Sequence, residues 1–165
     1  MTRSITVVAA LVGFGLTATA SLTTAQAHVD LTGKWMLNFE RSGPEVAGNG
    51  AAVPFPTELI VSQSPGELSV KSSSVRQDSY SAVYKLDGSR VNVTAPSAIT
   101  ETAEARFEGN TLLVKSRRSF TSPAGETVVE FTEVWSRAGN LLTVKKTMTQ
   151  DGESQTETAV YDKAA

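Results

Sequence analysis

Five ionisable residues spread through the second half of this chain, Glu101, Arg118, Glu133, Lys146 and Glu157, are the ones whose types and spacing suggest chemistry. In the strand register derived below, all five point to the face that also carries the apolar residues. Glu101 then stands across from Arg118, Glu133 across from Lys146, and Lys146 across from Glu157, with Gln155, Tyr80, Tyr84 and Tyr161 beside them. An isolated charge in a low-dielectric interior is costly, so these groups are expected to meet as ion pairs. Two cations against three carboxylates leave one acid over, able to take up a proton or to meet a donor or cation on a ligand. A few polar groups converging in an apolar pocket describe a ligand anchor. The binding candidates are therefore Glu101, Arg118, Glu133, Lys146, Glu157, Tyr80 and Tyr84. Glu133 beside Lys146 also has the composition of a general acid or base, although no catalytic role is assigned. A purely structural network is the bland alternative, because structural ion pairs perturb acids too.

Other chemistries find little support. The chain has one His and no Cys. His28 lies close to the start, so Ser-His-Asp and Cys-His catalysis lack their parts, and His28 reads as an incidental residue of a mobile terminus. A copper brace would need a second His. No ligand spacing suggests a metal site, no glycine-rich loop suggests a phosphate site, and no cofactor is implied. The net charge of −2 shows no nucleic-acid footprint and no basic membrane patch.

The elements that must position these residues are strands. From Leu31 onward, short runs rich in Val, Thr, Tyr and Phe alternate apolar with polar and break at Pro65-Gly66, Asp87-Gly88, Gly109-Asn110, Gly139-Asn140 and Asp151-Gly152. This predicts ten strands, near 31–40, 57–64, 67–75, 79–86, 89–95, 101–108, 111–120, 127–136, 141–149 and 154–162. A two-residue turn at Gly109-Asn110 sets Phe107 against Leu112 and Ala105 against Val114 inside, with Glu104 against Lys115 outside as a charge pair. An even loop from Thr121 to Glu126 sets Ser116 against Phe131 inside and Arg117 against Glu130 outside. The turn at Gly139-Asn140 sets Trp135 against Val144 and Phe131 against Met148, and the last hairpin adds Ala159 and Tyr161 to that face. A one-residue slip in any strand would scramble the pattern.

The fold class expected is all-β: a single antiparallel up-and-down barrel of about ten strands. Its first and last strands pair and so close it without exposed edges. Four tight turns fall at one end. The longer connections, the longest at Ser42–Pro56, fall at the other. That is a cup with a rim of loops, the longest of which serves as a lid or as an ordinary tether.

Ahead of the barrel, Met1-Thr2-Arg3 gives a basic start, Ile5 to Leu22 is apolar and uncharged, and Ala25-Gln26-Ala27 supplies a small-x-small cleavage pattern. Residues 1–27 therefore read as a signal peptide and 28–165 as the barrel domain, periplasmic or secreted, with no membrane span after cleavage.

Leu31-Thr32-Gly33-Lys34-Trp35 contains the Gly-x-Trp of lipocalins on the first strand. The wider Gly33-Lys34-Trp35-Met36-Leu37-Asn38, with Phe107-Glu108-Gly109-Asn110-Thr111-Leu112 and Glu133-Val134-Trp135-Ser136, resembles small secreted lipocalin-like (calycin-type) β-barrel proteins of bacteria. Ten strands depart from the eight of a typical lipocalin toward the fatty-acid-binding type. The resemblance implies that Gly33 and Trp35 are structural, with Trp35 plugging the closed end. It further implies a cavity for a small hydrophobic molecule and no particular chemistry.

Three functional classes stay open: an exported carrier of a small hydrophobic molecule; a barrel enzyme, an isomerase, cyclase or lyase using Glu133 and Lys146; and a secreted protease-inhibitor-type interaction module. Oligomeric state is not legible. If 1–27 is cleaved, N-terminal sequencing of the exported protein begins at His28; a product that still carries Leu11 to Leu22 refutes cleavage and revives a membrane anchor.

Overall fold

The computed structural model describes residues 28–43, 46, 55–74, 77–93, 99–123 and 125–165. Segment 1–27, expected to be a signal peptide, and most of the expected long rim loop lie outside them. Ten strands follow in order: β1 Gly33–Leu37, β2 Glu58–Ser64, β3 Glu67–Ser74, β4 Gln77–Lys85, β5 Val91–Val93, β6 Ile99–Glu108, β7 Thr111–Ser122, β8 Gly125–Ala138, β9 Leu141–Gln150 and β10 Glu153–Lys163. They form one antiparallel sheet, β4-β3-β2-β1-β10-β9-β8-β7-β6-β5, curled into a nearly closed barrel.

Alternation does the positioning. On β7, Leu112 and Val114 are buried while Lys115 and Arg117 are exposed. On β8, Val129, Phe131 and Trp135 are buried. The expected pairs Phe107–Leu112, Ala105–Val114 and Ser116–Phe131 are present, as are Trp135–Val144 and Phe131–Met148. Gly109, at φ 61°, begins the β6–β7 turn in a left-handed conformation that suits glycine.

Three expectations need correction. First, β1 and β10 do pair, Trp35 with Lys163 and Leu37 with Tyr161, yet the barrel is not thereby closed. Its seam lies between β4 and β5, which touch without a ladder among the described residues. Asp87-Gly88 is not a hairpin returning the chain to β4. Asp87 bridges to Arg106, and the Gly88 amide donates to the Ala105 carbonyl at 2.9 Å, so the chain crosses to β6. Second, β1 ends at Leu37 rather than residue 40. Asn38 stops it, accepting from the Arg41 amide through Oδ1 at 3.0 Å and from the Ser42 amide through its carbonyl at 3.1 Å. Third, Glu104 faces Lys115 in register but pairs with Arg90, at 2.7 Å.

The closed end is sealed by Trp35 and the strap before it. Trp35 and Leu31 have no exposed surface, and the Trp35 indole donates to the Leu31 carbonyl at 2.9 Å. Arg137 and Lys163 lie over the ring at 5.5 and 5.6 Å, positions suited to cation–π attraction. Gln63 clasps the strap, accepting from the Leu31 amide at 2.9 Å and donating to the Val29 carbonyl at 3.1 Å. Arg137 donates to the Asp30 carbonyl. Hydrogen bonds from Thr32 hold the Asp30 carboxyl below its ordinary pKa. His28, expected in a mobile terminus, instead stacks on Phe107 with ring centroids 4.4 Å apart. Gly33 has a reason to lack a side chain: its φ is 154°, a conformation that other residues rarely adopt, and a Cβ there would also make the Lys163 side chain shift.

Replacing Trp35 by Ala empties the floor of the barrel and leaves the Leu31 carbonyl without its donor. The expected cost is about 3–5 kcal/mol in denaturant unfolding; a loss below about 1 kcal/mol would contradict the plug.

Candidate functional site

The barrel interior changes character along its axis. Toward the tight turns it is filled by Trp35, Leu31, Leu68, Leu112, Leu142 and Tyr161, all fully buried. Toward the loops, the inward positions of β4 and β6 to β10 carry Tyr80, Glu101, Arg118, Glu133, Lys146 and Glu157.

These residues form two clusters. In the first, Glu101 on β6 faces Arg118 on β7. One carboxylate oxygen accepts from Arg118 Nε at 3.1 Å and Nη2 at 2.9 Å. Glu101 is only 4% exposed, and the ion pair makes that burial tolerable. Tyr80 on β4 lies near the same carboxylate, whose charge adds to burial in raising the Tyr80 pKa, and Tyr84 lies near Tyr80. Tyr80 thus stands beside Glu101 across the seam that the backbone leaves open.

In the second cluster, Glu133 on β8 faces Lys146 on β9, which faces Glu157 on β10. Lys146 Nζ is 3.0 Å from Glu133 Oε1, and the Trp135 indole donates to Oε2 at 2.8 Å. Both carboxylate oxygens are thus engaged. Phe131 lies between the clusters, with Arg118 5.3 Å and Lys146 4.8 Å from its ring centre. Phe55, at the end of the rim loop, is 6.0 Å from Lys146.

The candidate residues Glu101, Arg118, Glu133, Lys146, Tyr80 and Tyr84 are therefore brought together, with Glu157 in register beside them. Tyr84 contributes from within the core, where it is buried. Tyr161 and Gln155, expected beside the cavity, are not there. Tyr161 is packed in the core, its hydroxyl donating to the Pro56 carbonyl at 3.0 Å, and Gln155 is exposed near the loop end. Phe131 and Trp135 were legible as core positions but not as partners of the charges. Their placement two residues either side of Glu133, on the same face, was the available signal. Phe55 belongs to no periodic segment and gave none.

Outside the barrel, a groove of about 260 Å³ runs over β6 to β8 between Arg90, Glu104, Lys115, Arg117 and Glu130. It carries charges of both signs, and Phe131 is among the residues that line it.

Burial raises the pKa of all three tyrosines of the chain above the ordinary 10.0, with the Glu101 charge adding to the effect on Tyr80 and the Glu133 charge to that on Tyr161. A raised phenol pKa gives stability that is complete below 10.0, the unfolded value, and lost as pH climbs toward the folded values. Alkaline titration should therefore show no phenolate absorbance until the barrel unfolds, the two signals then rising together. A phenolate that forms reversibly near pH 10 in a folded barrel would contradict this placement.

No family model and no curated protein matches the chain. Among solved structures, a secretory abundant heat soluble (SAHS) protein from Ramazzottius varieornatus is similar at 13% identity and a TM-score of 0.57. The match covers 81% of this chain and 95% of that one. At this identity the likeness concerns the fold: a nearly closed, lipocalin-like antiparallel β-barrel.

Proposed function

We propose that this chain is an exported lipocalin-like carrier of the small bacterial type, which holds a small, mostly apolar molecule in the loop-side half of its barrel. One observation carries the reading. Lys146, Glu133 and Arg118 face inward, yet their side chains keep 14%, 20% and 27% of their exposure. Floor residues such as Trp35, Leu112 and Tyr161 keep none. Inward side chains that still reach solvent border a hollow, and a hollow with an apolar floor and a few fixed polar groups suits a ligand. Export rests on the sequence of residues 1–27 and is in keeping with the secretory description of the similar SAHS protein.

The acid–base reading is less well supported. A general base must lie within reach of a substrate proton, and no geometry here presents one to Glu133, whose two oxygens are held by Lys146 and Trp135. The interaction-module reading has, among the described residues, the exposed large hydrophobics Met36, Phe39, Ile60 and Val83 to draw on.

Native mass spectrometry of protein purified from its host tests the proposal, the expected result being a co-purifying small molecule. Lys146→Met then separates anchor from scaffold. It removes the partner of Glu133 and should weaken binding of that molecule by about tenfold or more in the folded fraction. A lowered melting temperature with unchanged affinity makes the network structural.

A further inference from the structure

Both inward cations are already held by carboxylates of the chain itself, and this bears on the headgroup of the ligand. We infer that the cavity selects apolar molecules with an uncharged polar head, such as an alcohol, and discriminates against ionised carboxylic acids. The inference rests on the cavity reading above and goes beyond it by naming the ligand class. An acid entering the barrel would need a cation. Arg118 gives Nε and Nη2 to one oxygen of Glu101, so its charge is already paired. Lys146 sits on Glu133, and both cations turn toward the one face-forming ring of Phe131. Glu101 and Glu133 thus occupy the positions that a ligand carboxylate would take.

Displacing either one would leave a resident carboxylate without its cation. For Glu101 this would happen in a site almost closed to water. Trp135 stabilises the resident arrangement by donating to the Glu133 carboxylate. A hydroxyl head both donates and accepts, so it can add to the network beside Tyr80 and Glu101 without separating a charge pair. Specificity of this kind is built from what the site refuses as much as from what it holds.

The test is a gain of function. Binding of decanol, decanoate and decylamine to the exported protein is measured by calorimetry at neutral pH. Decanol should bind about tenfold or more tighter than decanoate. Glu101→Gln keeps the shape but removes the resident charge, freeing Arg118, and decanoate affinity should rise by about tenfold relative to that of decanol. Glu133→Gln should act in the same direction through Lys146, so the test stands even if one variant fails to fold. Wild-type binding of decanoate as tight as that of decanol overturns the inference, and so does decylamine binding tightest of the three. It also falls if the folded variants show no gain for decanoate. In each of those cases the cavity reading survives. Binding of none of the three removes the cavity reading and this inference with it.

Discussion

Placing ionised side chains inside a β-barrel imposes a constraint that the surrounding strands must satisfy together. Each charge taken out of water is costly, and the cost is recovered only where an opposite charge and further hydrogen bonds stand in good geometry. Here the partners come from adjacent strands: Glu101 with Arg118 across β6 and β7, Glu133 with Lys146 across β8 and β9. The ladders that carry these pairs also carry the apolar floor. A one-residue slip of β9 would turn Leu142, Val144 and Lys146 outward together, losing core and ion pair at once. Ionic and hydrophobic terms therefore select the same register. The chain has no disulfide to help, since it contains no Cys.

The same constraint accounts for how the barrel holds its seam. An unpaired strand edge is a liability that proteins cover or blunt. β4 pairs with β3 and has no ladder on its other side among the described residues. Across the seam, Tyr80 lies near Glu101, which is fixed by Arg118. Lower down, the Asp87–Arg106 bridge draws the connecting segment onto β6. Glu101, buried more deeply than Arg118, Glu133 and Lys146, therefore stands both in the interior ion pair and beside the join between the two ends of the sheet.

Most of the architecture was legible in the sequence, and the reasons are physical. The strands from Thr111 to Lys163 alternate cleanly between tight turns of fixed length, and a turn of known length sets a register without ambiguity. That register delivered the pairs of Glu101 and Glu133. The seam was not legible. It depends on Asp87 and Gly88 hydrogen-bonding to β6 rather than β4, a long-range choice that the Asp-Gly dipeptide does not reveal. Nor was the Arg90–Glu104 pair, because facing positions on a ladder give opportunity and long flexible side chains choose among several partners. The strap from His28 to Thr32 escaped for a similar reason. Its order comes from Gln63, Phe107 and Arg137, which lie far along the chain.

The gradient along the barrel axis links stability to function. A barrel of this strand number can be filled by its own side chains or can leave room for a ligand. This one does the first at the turn end, and the ligand room proposed for it lies toward the loops. The filled end supplies the hydrophobic stabilisation and holds the strands in register. That register places charged residues where their alternation would otherwise allow aliphatic ones. Replacing a buried ion pair with apolar residues of similar volume is often neutral or stabilising, so stability alone gives weak grounds for keeping Glu101, Arg118, Glu133 and Lys146 inside. What the pairs add is a fixed polar layer directly above an apolar floor, at a level where Arg118, Glu133 and Lys146 keep part of their exposure. On the function proposed above, that layer would orient a polar head without a free charge competing for every passing ion.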